Sequence, residues 1–96
     1  MSTTGLTTGR AVYALAAGER GTCLAPGIIT RRFQGERDTF VTVRYLRPVR
    51  GDVEHTYGLA HDCVTPREKA TYGAADECID CGSHTAAPHA PACPFA

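Results

Sequence analysis

Four residues near the carboxyl end have the types and spacing of a metal site. Cys78, Cys81, His89 and Cys93 spell C-x2-C-x7-H-x3-C. Three thiolate sulfurs and one imidazole nitrogen are a donor set that zinc takes as a closed tetrahedron. The two-residue gap lets the first two sulfurs converge on one ion. Gly82, directly after Cys81, permits the tight turn in which backbone N–H groups face those sulfurs. The His-x3-Cys half has the spacing of one helical turn or a compact loop, which brings both ligands to one side. His84 competes for the fourth vertex in the spacing C-x2-C-x2-H-x8-C. Two residues after Cys81 leave little chain to carry an imidazole round, so His89 is the preferred ligand.

Zinc is therefore the expected cofactor, and its expected role is structural. Four protein ligands fill the tetrahedron, whereas catalytic zinc keeps a position open for water. The tail also lacks the H-x-E…P-C-x-x-C pattern of zinc deaminases. The competing readings are a tail of unrelated cysteines, or disulfides in an exported protein. Against the second, the first twenty residues carry one Arg before a short apolar run that reads better as a strand than as a secretory signal. A reducing cytoplasm is expected, where such cysteine spacing is read as metal binding, and the odd total of five cysteines agrees.

Three other sets of residues could do chemistry. Cys63 with His61 could form a nucleophile and base, but no third orienting group is identifiable and a buried inert thiol is commoner. Tyr13, Tyr45, Tyr57, Phe33 and Phe40 could include an aromatic cage or a stacking surface, and are weighed against their being the core of a protein with no Trp. Arg31, Arg32, Arg44 and Arg47, with Tyr45 among them, are the candidate surface for a partner or for nucleic acid, and Arg37 and Arg50 lie in the adjoining loops. The interspersed Glu36, Asp38, Asp52 and Glu54 fit a merely solvated face as well.

The elements that must position these residues are short. The first nine residues, MSTTGLTTG, form an expected flexible leader. AVYALAA (11–17) reads as a strand ending at Gly18. CLAPGIITRRF (23–33) reads as two strand pieces with a bend at Pro26–Gly27. DTFVTVRYL (38–46) is the clearest strand, and its alternation puts Val41, Val43 and Tyr45 on one face and Phe40, Thr42, Arg44 and Leu46 on the other. RPVRGD (47–52) reads as a turn, and 53–64 as a strand pattern interrupted at Gly58. Thr65, Pro66 and Glu68 spell an N-cap, a first-turn proline and a capping box, so a short helix is expected over 66–72, stopped by Gly73.

Composition bounds the rest. The chain has 96 residues, 43% of them hydrophobic, with ten Gly and six Pro. That is room for one small, turn-rich core and an appendage. Formal charge is zero overall, but residues 1–70 carry all ten basic groups against seven acids, and residues 71–96 carry three acids and no base. So mild an excess permits nucleic-acid contact without requiring it. No apolar run reaches the roughly 18 residues needed to span a bilayer.

The stretch AVYALAAGERGTCLAPGIITRR…DTFVTVRYL…HTYGLAHDCVTP, with Gly9 and Arg10 leading into it, resembles a Tudor-type or KOW-type SH3-like barrel over about residues 9–66. The likeness lies in a strand opening after Gly, a Pro-Gly kink before an Ile-rich strand, an alternating Val/Tyr strand, and a closing strand ending in Asp62-x-x-x-Pro66. The tail is similar to zinc knuckles, with a longer central gap than the retroviral type. The resemblance implies a mainly β chain with an SH3-like antiparallel barrel over 10–66, then a short helix and zinc-bound module over 67–96. It implies a non-enzymatic module that binds a protein partner, with transcription or other nucleic-acid machinery as one setting. Direct DNA or RNA binding through the arginines is the first alternative, and a small Cys/His or zinc enzyme the second.

Overall fold

The computed structural model describes residues 6–96, which fall into two compact units, 6–66 and 67–96. The first unit is one antiparallel sheet of five strands: β1 (Ala11–Gly18), β2 (Gly21–Gln34), β3 (Thr39–Val49), β4 (Asp52–Gly58) and β5 (Val64–Pro66). Their order across the sheet is β4-β3-β2-β1-β5. The first four form a meander, and β5 returns to pair with β1, placing Val12, Tyr13 and Ala14 opposite Pro66, Thr65 and Val64.

The expected closed barrel is not formed: β4 and β5 stand at opposite edges of the sheet. β5 is only three residues long and ends at Pro66, which has no N–H with which to continue a ladder. The expected helix over 66–72 is also absent. The one helical element among the described residues is a 3-10 turn at Leu59–His61. The capping signals at Thr65 to Glu68 are local, and longer-range bonds override them. Thr65 and Pro66 are drawn into β5, and Tyr72 bridges to Cys78 in extended backbone.

β2 is a single strand of 14 residues and not two pieces. Its irregularity lies between Ile29 and Arg31, beyond the Pro-Gly pair. Gly27 has a different purpose: a Cβ there would lie 2.6 Å from both the Arg44 carbonyl oxygen and Val43 Cγ1 on the neighbouring strand. β3 runs on through Pro48, so the expected turn shrinks to Arg50–Gly51. Both residues have positive φ, 49° and 84°, which suits the twist of a two-residue hairpin.

Alternation along these strands builds the core. Val12, Ala14 and Ala16 of β1, Ala25 and Ile29 of β2, Val41, Val43 and Tyr45 of β3, Tyr57 of β4 and Val64 of β5 are all buried in one cluster. Of the leader expected over 1–9, residues 1–5 lie outside the described residues. Leu6 joins the core cluster, and the Gly9 N–H donates to the Ile29 carbonyl at 2.7 Å. No described helix is long and apolar enough to cross a membrane.

Candidate metal centre

The second unit is built from turns. The Gly73 N–H donates to Glu77 O at 2.8 Å and the Ile79 N–H to Thr71 O at 3.0 Å, which folds residues 71–79 back on themselves. A second tight loop follows. The Cys78 N–H donates to Ser83 O and the Gly82 N–H to Cys78 O, both at 2.8 Å. Gly82 takes φ +77° in that loop, a conformation that costs glycine nothing and other residues strain. Near the end of the chain the Cys93 N–H donates to Ala90 O at 2.9 Å, one turn that returns Cys93 toward His89.

These turns bring Cys78, Cys81, His89 and Cys93 together, with all four ligand atoms within 4.8 Å of one another. Cys78 Sγ lies 3.8 Å from Cys93 Sγ. His89 Nδ1 lies 3.5 Å from Cys81 Sγ and 3.6 Å from Cys93 Sγ. A tetrahedral ion with metal–sulfur bonds of about 2.3 Å and a metal–nitrogen bond of about 2.05 Å has S···S edges of about 3.8 Å and S···N edges of about 3.6 Å. The three separations match those edges, so the four residues could hold a metal ion. All five cysteines are free thiols, and 3.8 Å is far from the S–S bond of about 2.05 Å.

The other nitrogen of His89 is placed as a ligand's would be. Nε2 lies 3.3 Å from the Tyr72 hydroxyl, a partner that fixes the ring with Nδ1 turned to the sulfurs. His84 is outside the cluster, and its Nδ1 accepts the Ala86 N–H at 3.2 Å. The thiols differ among themselves. The Ser83 hydroxyl foremost, then the Ala90 and Ser83 backbone N–H groups and His89, pull Cys81 down to about 5. Burial foremost pushes Cys93 up to about 11. A bound cation overrides such differences, because a coordinated thiol is deprotonated outright.

Around the loop lies an ion pair that spacing alone does not disclose. Arg67, 2% exposed, donates from Nη1 to Asp80 Oδ2 at 3.0 Å and from Nη2 to Oδ1 at 2.8 Å. Asp80 stands between the two cysteines of Cys-x-x-Cys, and its Oδ2 lies 4.0 Å from Cys78 Sγ. The acid inside the motif was a visible signal. Nothing local marks Arg67 as its partner.

The candidate partner surface is dispersed. Arg31, Arg44 and Arg47 are exposed, and Arg31 lies over the Phe33 ring at 4.7 Å. Phe33 stacks in turn on Phe40, centroids 5.4 Å apart. Arg32 donates from Nη1 to the Leu6 carbonyl at 2.6 Å. Tyr45 is buried, 8% exposed, with its hydroxyl hydrogen-bonded to that of Tyr57. Burial first, and the Tyr45 hydroxyl second, raise the Tyr57 phenol above its ordinary value. Both rings border a cavity of about 170 Å³ with Leu15, Val49, Asp52 and His55. The Cys63 thiol points at the His61 carbonyl oxygen, 3.4 Å away.

Comparison with known proteins finds no matching family model, no matching curated protein and no matching solved structure.

Proposed function

We propose that the chain is a zinc-stapled binding module that works by contact with a protein partner and does no chemistry of its own. The observation that carries this reading is the donor set, three sulfurs and one nitrogen within 4.8 Å of one another, with three of their separations at the edge lengths of a tetrahedral site. Sulfur and imidazole donors in that geometry favour zinc among the common divalent ions. When bound, the ion supplies a cross-link between Cys78, Cys81, His89 and Cys93, and no vertex is left for a reactive water.

The contact surface follows from exposure. Leu15 and Leu24 face each other across β1 and β2, 39% and 60% exposed. A cross-strand apolar pair left in water suits a protein surface better than a phosphate backbone. The resemblance of residues 9–66 to Tudor-type and KOW-type modules, which bind more often than they catalyse, points the same way by analogy. The alternative of direct nucleic-acid binding draws on the exposed Arg31, Arg44 and Arg47.

The test has two parts. Metal analysis of purified protein is expected to find one zinc per chain. Binding is then measured at two salt concentrations: a protein partner held through an apolar contact is retained at high salt, whereas contact with unrelated DNA or RNA falls steeply. Purified protein without metal sinks the staple, and binding confined to low-salt nucleic acid sinks the protein-contact reading.

A further inference from the structure

We propose that Arg67 and Asp80 are positioning residues for the metal centre, and that this buried pair sets how tightly the four ligands hold their ion. The inference rests on the metal reading above and concerns residues that never touch the ion.

The pair reaches two of the segments that carry the ligands. Arg67 directly follows the last residue of β5 and is the first residue of the second unit. Its guanidinium grips both carboxylate oxygens of Asp80, at 2.8 and 3.0 Å, with the two side chains 0% and 2% exposed. Asp80 lies in the loop that carries Cys78 and Cys81. The same guanidinium sits over the Phe95 ring, 5.6 Å from its centroid, and Phe95 is two residues beyond Cys93. One planar cation therefore joins the Cys-x-x-Cys loop to the segment that carries the remaining sulfur.

Geometry and charge both require an arginine there. The two-pronged match of guanidinium to carboxylate fixes orientation as well as distance, which an ammonium cannot do. Three thiolates and a neutral imidazole on a divalent ion carry a net charge of −1. The Asp80 carboxylate, 4.0 Å from Cys78 Sγ, adds a second negative charge out of contact with water. Arg67 cancels it. A buried ion pair adds little stability by itself, so its consequence is expected in the arrangement of the ligands. Partners that orient metal ligands are typically worth about 10–100-fold in affinity.

The experiment is titration of the full-length chain with Co2+ and then Zn2+, read by the cobalt absorption bands and by competition with a chromophoric chelator. Wild-type protein is expected to take one Co2+ with the strong visible bands of a tetrahedral, thiolate-rich site. R67M and D80N are each expected to weaken both metals about 10–100-fold. They should keep the sulfur-to-cobalt charge-transfer bands and shift the visible ones as the tetrahedron relaxes. A variant that had merely unfolded would lose both sets. R67K, which keeps the charge and loses the fork, should lose as much as R67M. The R67M/D80N double variant should lose no more than the worse single, because both act through one contact. Dispersed amide resonances from residues 67–96 in each zinc-saturated variant confirm that the unit carrying the substitution is folded.

Variants within twofold of wild type, full rescue by lysine, or additive losses in the double variant overturn this proposal and leave the metal site standing. If wild-type protein takes up neither Co2+ nor Zn2+, the metal reading fails and carries this proposal with it.

Discussion

Removing the metal is expected to unfold residues 67–96 and spare the sheet. Within that unit the buried residues are Arg67, Cys78 and Cys93. Two of the three are candidate ligands, and the third is paired with Asp80 in their loop. The apolar cluster of the chain draws on residues 6–64 and leaves none for the second unit. Ordering backbone costs about 1–2 kcal/mol per residue, and whole domains keep a margin of only about 5–15 kcal/mol. A structural zinc contributes an apparent stabilisation of about 10–16 kcal/mol near neutral pH, which corresponds to a Kd between about 50 nM and about 2 pM. Loss of that term exceeds any margin that two buried thiols could supply. The assay is an amide correlation spectrum of the full chain before and after a strong chelator, with metal content measured on the same samples. Resonances of residues 67–96 should collapse to random-coil positions while those of 11–66 stay dispersed, and added zinc should restore the original spectrum. Dispersed resonances from 67–96 in protein verified metal-free would refute the reasoning, because some other force would then hold the unit.

Further outcomes can be checked independently. A thiol reagent should modify two cysteines of the metal-loaded protein, exposed Cys23 first and then half-buried Cys63, and all five once the metal is removed. At neutral pH, Y57F should cost about 1–3 kcal/mol in urea denaturation by orphaning the buried Tyr45 hydroxyl, and Y45F/Y57F should cost much less. Because the folded chain raises the Tyr57 phenol above its ordinary 10, the neutral form is favoured on folding. Its contribution is complete below about pH 10 and is lost as pH rises further, so the urea midpoint of wild type should fall there and that of Y57F should fall less. G27A should cost at least about 1–3 kcal/mol by overpacking, because the Arg44 carbonyl 2.6 Å from the new Cβ is backbone that cannot swing away; unchanged stability would mean that β2 and β3 separate more easily than their register implies.

Alternation in 38–46 determined which side chains of β3 enter the core, since a strand that buries one face has only one way to place Val41, Val43 and Tyr45. The Cys and His spacing likewise determined that four donors could meet, because short loops restrict where the chain can carry them. What the sequence left open are the features that depend on residues far apart in it. The helix expected over 66–72 had sound local signals and lost to pairing of Tyr72 with Cys78 and of β5 with β1. The sheet stays open because a three-residue strand ending in proline cannot bridge its two edges. The partner of the buried Tyr45 hydroxyl is Tyr57 on β4, twelve residues away. Arg67 and Asp80, thirteen residues apart, meet only because the turns between them close. Local propensity is worth tenths of a kcal/mol per residue, whereas burial and charge pairing are decided by whatever the whole chain brings alongside.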